Sequence, residues 1–273
     1  MNEPEDYPEI IYKYRNWKED NHKDILINNI LYMSPPIYFN DPFDCRIPTN
    51  YKSLNSIEKI EKYVSVFINK HKDFLLLKGI NLENEFIRMC EDFFENIELI
   101  QADHERILFD MQDKHYGVLS LSKRWNSILM WSHYADNHSG FCVGFYENKI
   151  RESGLFGKGG PVHYNPENDY PMIDPLGEEN LMVTSFNQTH TKAYDWEYEQ
   201  EYRLTKLFFP DIPTTEDRKI QFKDDLFSEI ILGLTISESS KKEILEIAKS
   251  KNIKVYQAKK VSMKFEIFRE QIL

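Results

Sequence analysis

The chain lacks any GxxxxGK[ST], GxGxxG or GxSxG string, so phosphate-loop, dinucleotide-fold and nucleophile-elbow readings have no sequence support. Cysteine is scarce. Cys45, Cys90 and Cys142 lie far apart with no CxxC pair, which argues against a zinc ribbon and against a secreted disulfide scaffold. A reducing cytoplasm is the expected location. No apolar run approaches the ~20 residues needed to span a bilayer, and Met1–Asp6 is acidic where a signal peptide would be basic, so no membrane partner is expected. Basic residues are in deficit: 34 Lys and Arg against 45 Asp and Glu give a formal net charge of -11, which disfavours non-specific nucleic-acid binding. His133 and His138 are five apart, not the three or four that puts two metal ligands on one helical face, and no third ligand accompanies them. There is no internal repeat and no low-complexity tract.

What remains describes a folded protein. At 273 residues, 41% hydrophobic and 14% aromatic, the chain can bury a substantial core without disulfide or metal support. Ile10 to Arg15 alternates as a strand, with Ile10, Tyr12 and Tyr14 against Ile11, Lys13 and Arg15. A short helix within Lys18 to Asn29 then leads to a strand at Leu31 to Ser34, ended by Pro35 and Pro36. The Phe39-Asn40-Asp41-Pro42-Phe43-Asp44 turn follows, where Asn40 and Asp41 can bond backbone groups and the rigid loop lines or buttresses a site.

Between about 54 and 113 apolar residues recur at helical spacing, predicting two long amphipathic helices with Gly79 as the stop of the first and Asn81 as the N-cap of the second. His104 falls on the apolar stripe and reads as a core or boundary histidine. Strand patterning resumes at Val118 to Ser122, then a short helix at Ser127 to Ala135, then Gly140 to Phe145. Gly154 to Gly177 reads as loop. Strands are predicted at Leu181 to Phe186, Glu201 to Phe209, Lys219 to Phe222, Glu229 to Leu234, Lys254 to Val261 and Phe265 to Ile272, with a helix at Glu238 to Ser250 capped by Ser237.

The segment Tyr198-Glu199-Gln200-Glu201-Tyr202-Arg203 carries the most chemistry. As a strand it projects Glu199, Glu201 and Arg203 from one face and packs Tyr198, Tyr202 and Leu204 on the other. Two like charges so spaced repel, which can keep an acid or base usable near neutral pH; alternatively both acids pair with Arg203 and a lysine. Ser120 and Ser122 share a face and suit a carboxylate or a ribose, or are ordinary strand residues. Arg15 is either a ligand clamp or a salt-bridge partner of Asp41 or Glu201. Trp131 and Tyr134, three apart, are either core packing or a stacking platform.

The order Arg15, Ser120-x-Ser122, Glu199-x-Glu201 resembles the Arg, Ser-x-Ser, Glu-x-Glu pattern of mono-ADP-ribosyltransferases. That resemblance implies NAD as substrate. It assigns Arg15 to the pyrophosphate, Ser120 and Ser122 to positioning the glutamate, Glu201 to the nicotinamide ribose and Glu199 to the side nearer the acceptor. Tyr14, Trp131 or Tyr134 would supply an aromatic face for nicotinamide. A carboxylate on the ribose face stabilises a ribosyl cation electrostatically without a metal. Leu121 stands where threonine is usual, the gaps between motifs are longer than in compact toxin domains, and Arg203 follows on the acid face, where it can neutralise Glu201.

The strings YKYR (12 to 15), YFNDPFDC (38 to 45), LSLS with LMWSHYADNHSGFCVGF (119 to 145), WEYEQEYR (196 to 203) and EIILG (229 to 233) resemble a bacterial family catalogued as domain of unknown function 2971. The expected fold is α+β: split, mainly antiparallel twisted sheets of ADP-ribosyltransferase type in one domain over 1–273, with the helical hairpin inserted at about 54–113. The expected function is ADP-ribosyl transfer to an unknown macromolecular acceptor, or NAD hydrolysis, in a toxin or phage-defence setting. Two alternatives stay open: a metal-dependent nuclease using Glu199 and Glu201, and a non-catalytic nucleotide-binding sensor or adaptor.

Overall fold

A computed structural model describes residues 7–157, 159–167, 169–177 and 180–273; the acidic segment Met1–Asp6 lies outside the described residues. In chain order the elements are β1 (Ile10–Arg15), α1 (Asp20–Ile27), β2 (Ile30–Tyr32), α2 (Ile57–Leu77), α3 (Leu82–His115), β3 (Tyr116–Ser122), α4 (Ile128–Tyr134), β4 (Phe141–Tyr146) and α5 (Glu147–Glu152). There follow β5 (Gly159–Pro161), β6 (His163–Asn165), α6 (Leu181–Thr189), β7 (Thr191–Ala193), β8 (Glu201–Leu207), β9 (Lys219–Gln221), β10 (Phe227–Leu232), α7 (Glu238–Lys251), β11 (Lys254–Lys260) and β12 (Ile267–Gln271). They fall into two compact units, one of residues 1–41, 113–169 and 190–273, the other of 42–112 and 170–189.

The first unit is built on an open eight-stranded sheet ordered β12-β11-β10-β4-β1-β3-β8-β5, antiparallel except for the β10–β11 pair. Alternation explains its two apolar faces. Ile11 packs with Leu119, Leu121, Val143 and Leu204 under Leu26 of α1 and Ile244 of α7. Tyr12 and Tyr14 point the other way and pack with Cys142 and Ile231 under Met130 and Trp131 of α4. Both faces are covered, which is why β4 reads as the nearly unbroken apolar run Phe141-Cys142-Val143-Gly144-Phe145. The mainly antiparallel sheet is as expected, but the described residues form one large sheet with a weak seam beside the two-stranded pairs β2–β9 and β6–β7: β1 pairs with β4 over six positions but with β3 only at Tyr12 opposite Ser122.

The second unit is helical. Ser56 caps α2 by accepting from the Lys59 amide. The helix ends where Gly79 takes φ +70° and the Ile80 and Gly79 amides close back on the Leu75 and Leu76 carbonyls, a Schellman end that a glycine permits without strain. Asn81 accepts from the Asn84 amide at the start of α3, which kinks at Asn96. Ile60, Val64, Ile68 and Leu75 of α2 pack with Phe93 of α3. His104 is half-buried, accepts from the Thr49 amide at 3.3 Å and meets the Tyr51 ring edge-on, the boundary role its position predicts.

Three segments depart from their sequence pattern. Leu181 to Phe186, expected as a strand, lies in α6; a short apolar run rich in branched and aromatic residues does not by itself choose between the two periods. The stretch from Gly154 to Gly177 is not all loop, for it holds β5 and β6. The Glu199–Arg203 run is not one strand: Tyr194–Glu199 forms a 3-10 turn, Gln200 takes the left-handed conformation at φ +41°, and β8 begins only at Glu201. Among the described residues no helix is long and apolar enough to cross a membrane.

Gly140 sets the end of β1. A side-chain carbon there would collide with the Arg15 carbonyl and come within 2.9 Å of the Ala135 carbonyl. Backbone oxygens cannot swing aside, so Gly140→Ala is expected to destabilise the protein by about 1–3 kcal/mol. An unchanged urea midpoint would contradict that packing.

Candidate functional site

The acid segment, β3 and β7 meet in one buried network within the sheet-bearing unit. Antiparallel register sets Ser122 opposite Glu201 and Ser120 opposite Arg203. Glu201 is 3% exposed, and Arg203, fully buried, grips it with a fork of two hydrogen bonds, Nε to Oε1 at 2.7 Å and Nη2 to Oε2 at 2.8 Å. The Lys192 ammonium donates to Glu199 Oε2 at 2.7 Å and to Glu201 Oε2 at 3.4 Å while lying over the Trp196 ring. Ser120 hydrogen-bonds the Glu201 side chain, and Tyr164 accepts from the Glu201 amide through its hydroxyl at 2.7 Å.

Burial alone would raise the Glu201 pKa. The charges of Arg203 and Lys192, with hydrogen bonds from Arg203 and Ser120, outweigh it and hold the carboxyl at about 2. Glu199, 4% exposed, ends the 3-10 turn and accepts from the Tyr134 hydroxyl at 2.6 Å. Ser122 donates to the Glu199 carbonyl at 2.7 Å, pinning the turn rather than touching either carboxyl. Burial and the neighbouring Glu199 push the Tyr134 hydroxyl upward.

The loop before this network buttresses it, as its sequence allows. Asn40 is exposed and hydrogen-bonds the Tyr134 side chain, and the Phe39 ring lies 5.8 Å from the Arg203 guanidinium. Tyr14 and Trp131 belong to the core. Trp131 is fully buried with its indole N–H on the Trp125 carbonyl, Tyr14 is 2% exposed with its hydroxyl on the Arg124 carbonyl, and their rings meet edge-on at 5.2 Å. Neither has a face left for a nicotinamide, so their expected stacking role gives way to packing.

Arg15 does not join the acids. Strand alternation puts Lys13 and Arg15 on the face of Ile11, whereas Ser122 and Glu201 share the face of Tyr12. Arg15 is half-buried, its one hydrogen bond runs to the Tyr14 carbonyl at 3.3 Å, and among the described residues no carboxylate lies within ion-pair distance of it. Burial lowers its pKa to about 10. The salt bridge to Asp41 or Glu201 that the sequence left open is not formed.

Lys13 bridges the two regions. Where the β1–β3 ladder lapses, its ammonium bonds the Ser120 carbonyl, satisfying a sheet acceptor that lacks a strand partner. Burial, then the Arg15 charge, hold Lys13 well below the usual lysine range against the opposing pull of Glu201 and Glu199. His22 of α1 accepts from the Asn16 amide through Nδ1, and burial with the Arg15 and Lys13 charges lowers it to about 4. Lys13 was legible as the residue alternating with Arg15 in YKYR. Lys192, seven residues before Glu199, carries no pattern that announces it, and neither does His22.

Among the described residues no three His, Cys, Asp or Glu side chains gather to hold a metal ion. Around Glu199 and Glu201 the acceptor oxygens already face an ammonium, a guanidinium and a phenol, so a divalent cation there would meet two fixed positive charges.

No curated protein and no solved structure matched the chain. A family model did: residues 130–204, from α4 through the first half of β8, match the one described as protein of unknown function (DUF2971). This span holds Lys192, Glu199, Glu201 and Arg203, the ionised members of the buried network, and the phenol of Tyr134. Over those residues the chain is similar to the DUF2971 family.

Proposed function

We propose that the chain binds an NAD-type dinucleotide through Arg15, with the Ser120–Glu201 pair, on the other face of the sheet, serving the buried network rather than the ligand. The carrying observation is Arg15 itself, a half-buried guanidinium with no carboxylate partner among the described residues in a chain with an excess of acids. Desolvating a charge without a counterion is costly, and a diphosphate relieves that cost through forked, charge-assisted hydrogen bonds. NAD is the candidate because the resemblance to ADP-ribosyltransferases assigns Arg15 to the pyrophosphate; Ser120 and Glu201, on the neighbouring strands β3 and β8 but the other face, add nothing to that contact.

Transfer or hydrolysis by Glu201 is the second reading, favoured by the Ser120–Glu201 hydrogen bond and by a carboxyl held ionised. Against it, Arg203 and Lys192 already neutralise that carboxylate. The metal-dependent nuclease fits least, since both acids are committed to fixed cations. A cytoplasmic setting fits three cysteines that form no disulfide.

Titration calorimetry should detect NAD binding by the wild-type protein and at least about tenfold weaker binding by Arg15→Ala, the loss of one charge-assisted clamp. Undiminished binding in that variant would refute the assignment. Nicotinamide release that disappears in Glu201→Gln would instead establish turnover.

The Glu201 network also predicts a pH response. Because the carboxyl is depressed from 4.5 to about 2 in the fold, its stabilisation is complete above about pH 4.5 and is lost as the pH falls through about 2. Arg203→Met leaves a buried carboxylate without its main partner and should cost about 3–5 kcal/mol at neutral pH. Urea unfolding across that window should then show the acid-side loss blunted in Arg203→Met. Identical pH profiles for the two proteins would exclude the ion pair as its source.

A further inference from the structure

We propose that Lys13, Arg15 and His22 together form a subsite for a dianionic phosphate group, the diphosphate of a nucleotide being the fitting class. The inference rests on the reading of Arg15 above and adds two residues to it, with a test that separates the two.

The geometry comes from one strand and one helix. Lys13 and Arg15 are two apart on β1 and project from the same face. The His22 ring is tied to the backbone next to Arg15, since the Asn16 amide donates to its Nδ1 at 3.3 Å. That bond fixes the tautomer: Nδ1 accepts, so neutral His22 carries its proton on Nε2 and presents a donor. All three side chains are half-buried. Their protein partners are few, namely the Ser120 carbonyl for Lys13, the Tyr14 carbonyl for Arg15 and the Asn16 amide for His22. Among the described residues none of the three forms an ion pair with a carboxylate, although acids outnumber bases in the chain. Like charges held together in partial burial repel and are desolvated at once, and a multiply charged anion offsets both costs.

The charged groups acting on the cluster are Arg15 and Lys13 on His22, and Arg15, Glu201 and Glu199 on Lys13. The two acids lie with the buried network and already hold Lys192 and Arg203, so they do not serve as counterions for β1. An arriving dianion reverses the local field. It favours the protonated forms of His22 and Lys13, both of which burial and the neighbouring charges depress, and His22 gives up its Asn16 bond as Nδ1 takes the proton, so binding is coupled to proton uptake. Affinity should therefore rise as the pH falls from about 6.5, the ordinary histidine value, toward about 4.

The probe is inorganic pyrophosphate, titrated calorimetrically into the full chain in two buffers of different ionisation enthalpy. Expected are binding that weakens with added salt, proton uptake that grows below about pH 6.5, and at least about tenfold weaker binding in Lys13→Gln and in Arg15→Gln. His22→Ala should bind less tightly and lose the histidine share of the proton uptake. Gln at position 13 can still donate to the Ser120 carbonyl, and circular dichroism checks that each variant is folded. No pyrophosphate binding by the folded wild-type protein, or equal binding by all variants, overturns the subsite. Pyrophosphate binding without NAD binding leaves the subsite standing and removes the NAD reading. NAD binding that needs Arg15 but is indifferent to Lys13 and His22 does the reverse.

Discussion

Two carboxylates, an ammonium and a guanidinium share one buried volume where β8 begins, and the placement of the surrounding segments depends on their being there together. Glu199 and Glu201 would repel if alone, and Lys192 and Arg203 would each be a stranded cation. Two charges of each sign make the group neutral, and hydrogen bonds from Ser120 and Tyr134 occupy lone pairs that the cations leave. Buried ion pairs of this kind contribute little net stability compared with apolar packing, yet breaking one leaves a charge uncompensated. Their effect is on specificity. Lys192 can reach both acids only if the chain turns between them, and the left-handed Gln200 makes that turn.

The same network settles what Glu201 can do chemically. A carboxyl held near pKa 2 and gripped on both oxygens is a poor general base at neutral pH, because it has little affinity for a proton. Its remaining catalytic use would be electrostatic, and there Arg203 cancels the charge that a ribosyl cation would need. Arg15 is the complementary case, for among the described residues no carboxylate pairs with it.

Much of the scaffold was legible because its signals are local. Gly79, Asn81 and Ser237 act at the helix ends where their side chains or backbone freedom suit them, and the apolar spacing from Ile60 to Phe93 marks the helical unit. The plainer option for the acids, pairing with Arg203 and a lysine, is the one the fold adopts. What was not legible depends on tertiary context. Gln200 is not a residue type that signals φ > 0, so Tyr198 to Arg203 read as an unbroken strand. Trp131 and Tyr14 looked able to stack on a ligand because spacing does not distinguish a covered ring from an open one.

Lys13 is the side chain that feels both regions. Its ammonium fills the lapse in the β1–β3 ladder at the Ser120 carbonyl, while the Ser120 side chain bonds Glu201. The Coulomb influences on Lys13 come from Arg15 on one side and from Glu201 and Glu199 on the other. A change in charge beside Arg15 must therefore alter the balance on Lys13, and a change on Lys13 alters the field at the two acids, without any strand having to move. The seam that interrupts the sheet is thus also the path by which occupancy at β1 would reach the buried network. A fully laddered β1–β3 pair would have closed it, because the Ser120 carbonyl would then be spent on a backbone amide and Lys13 would have no acceptor there.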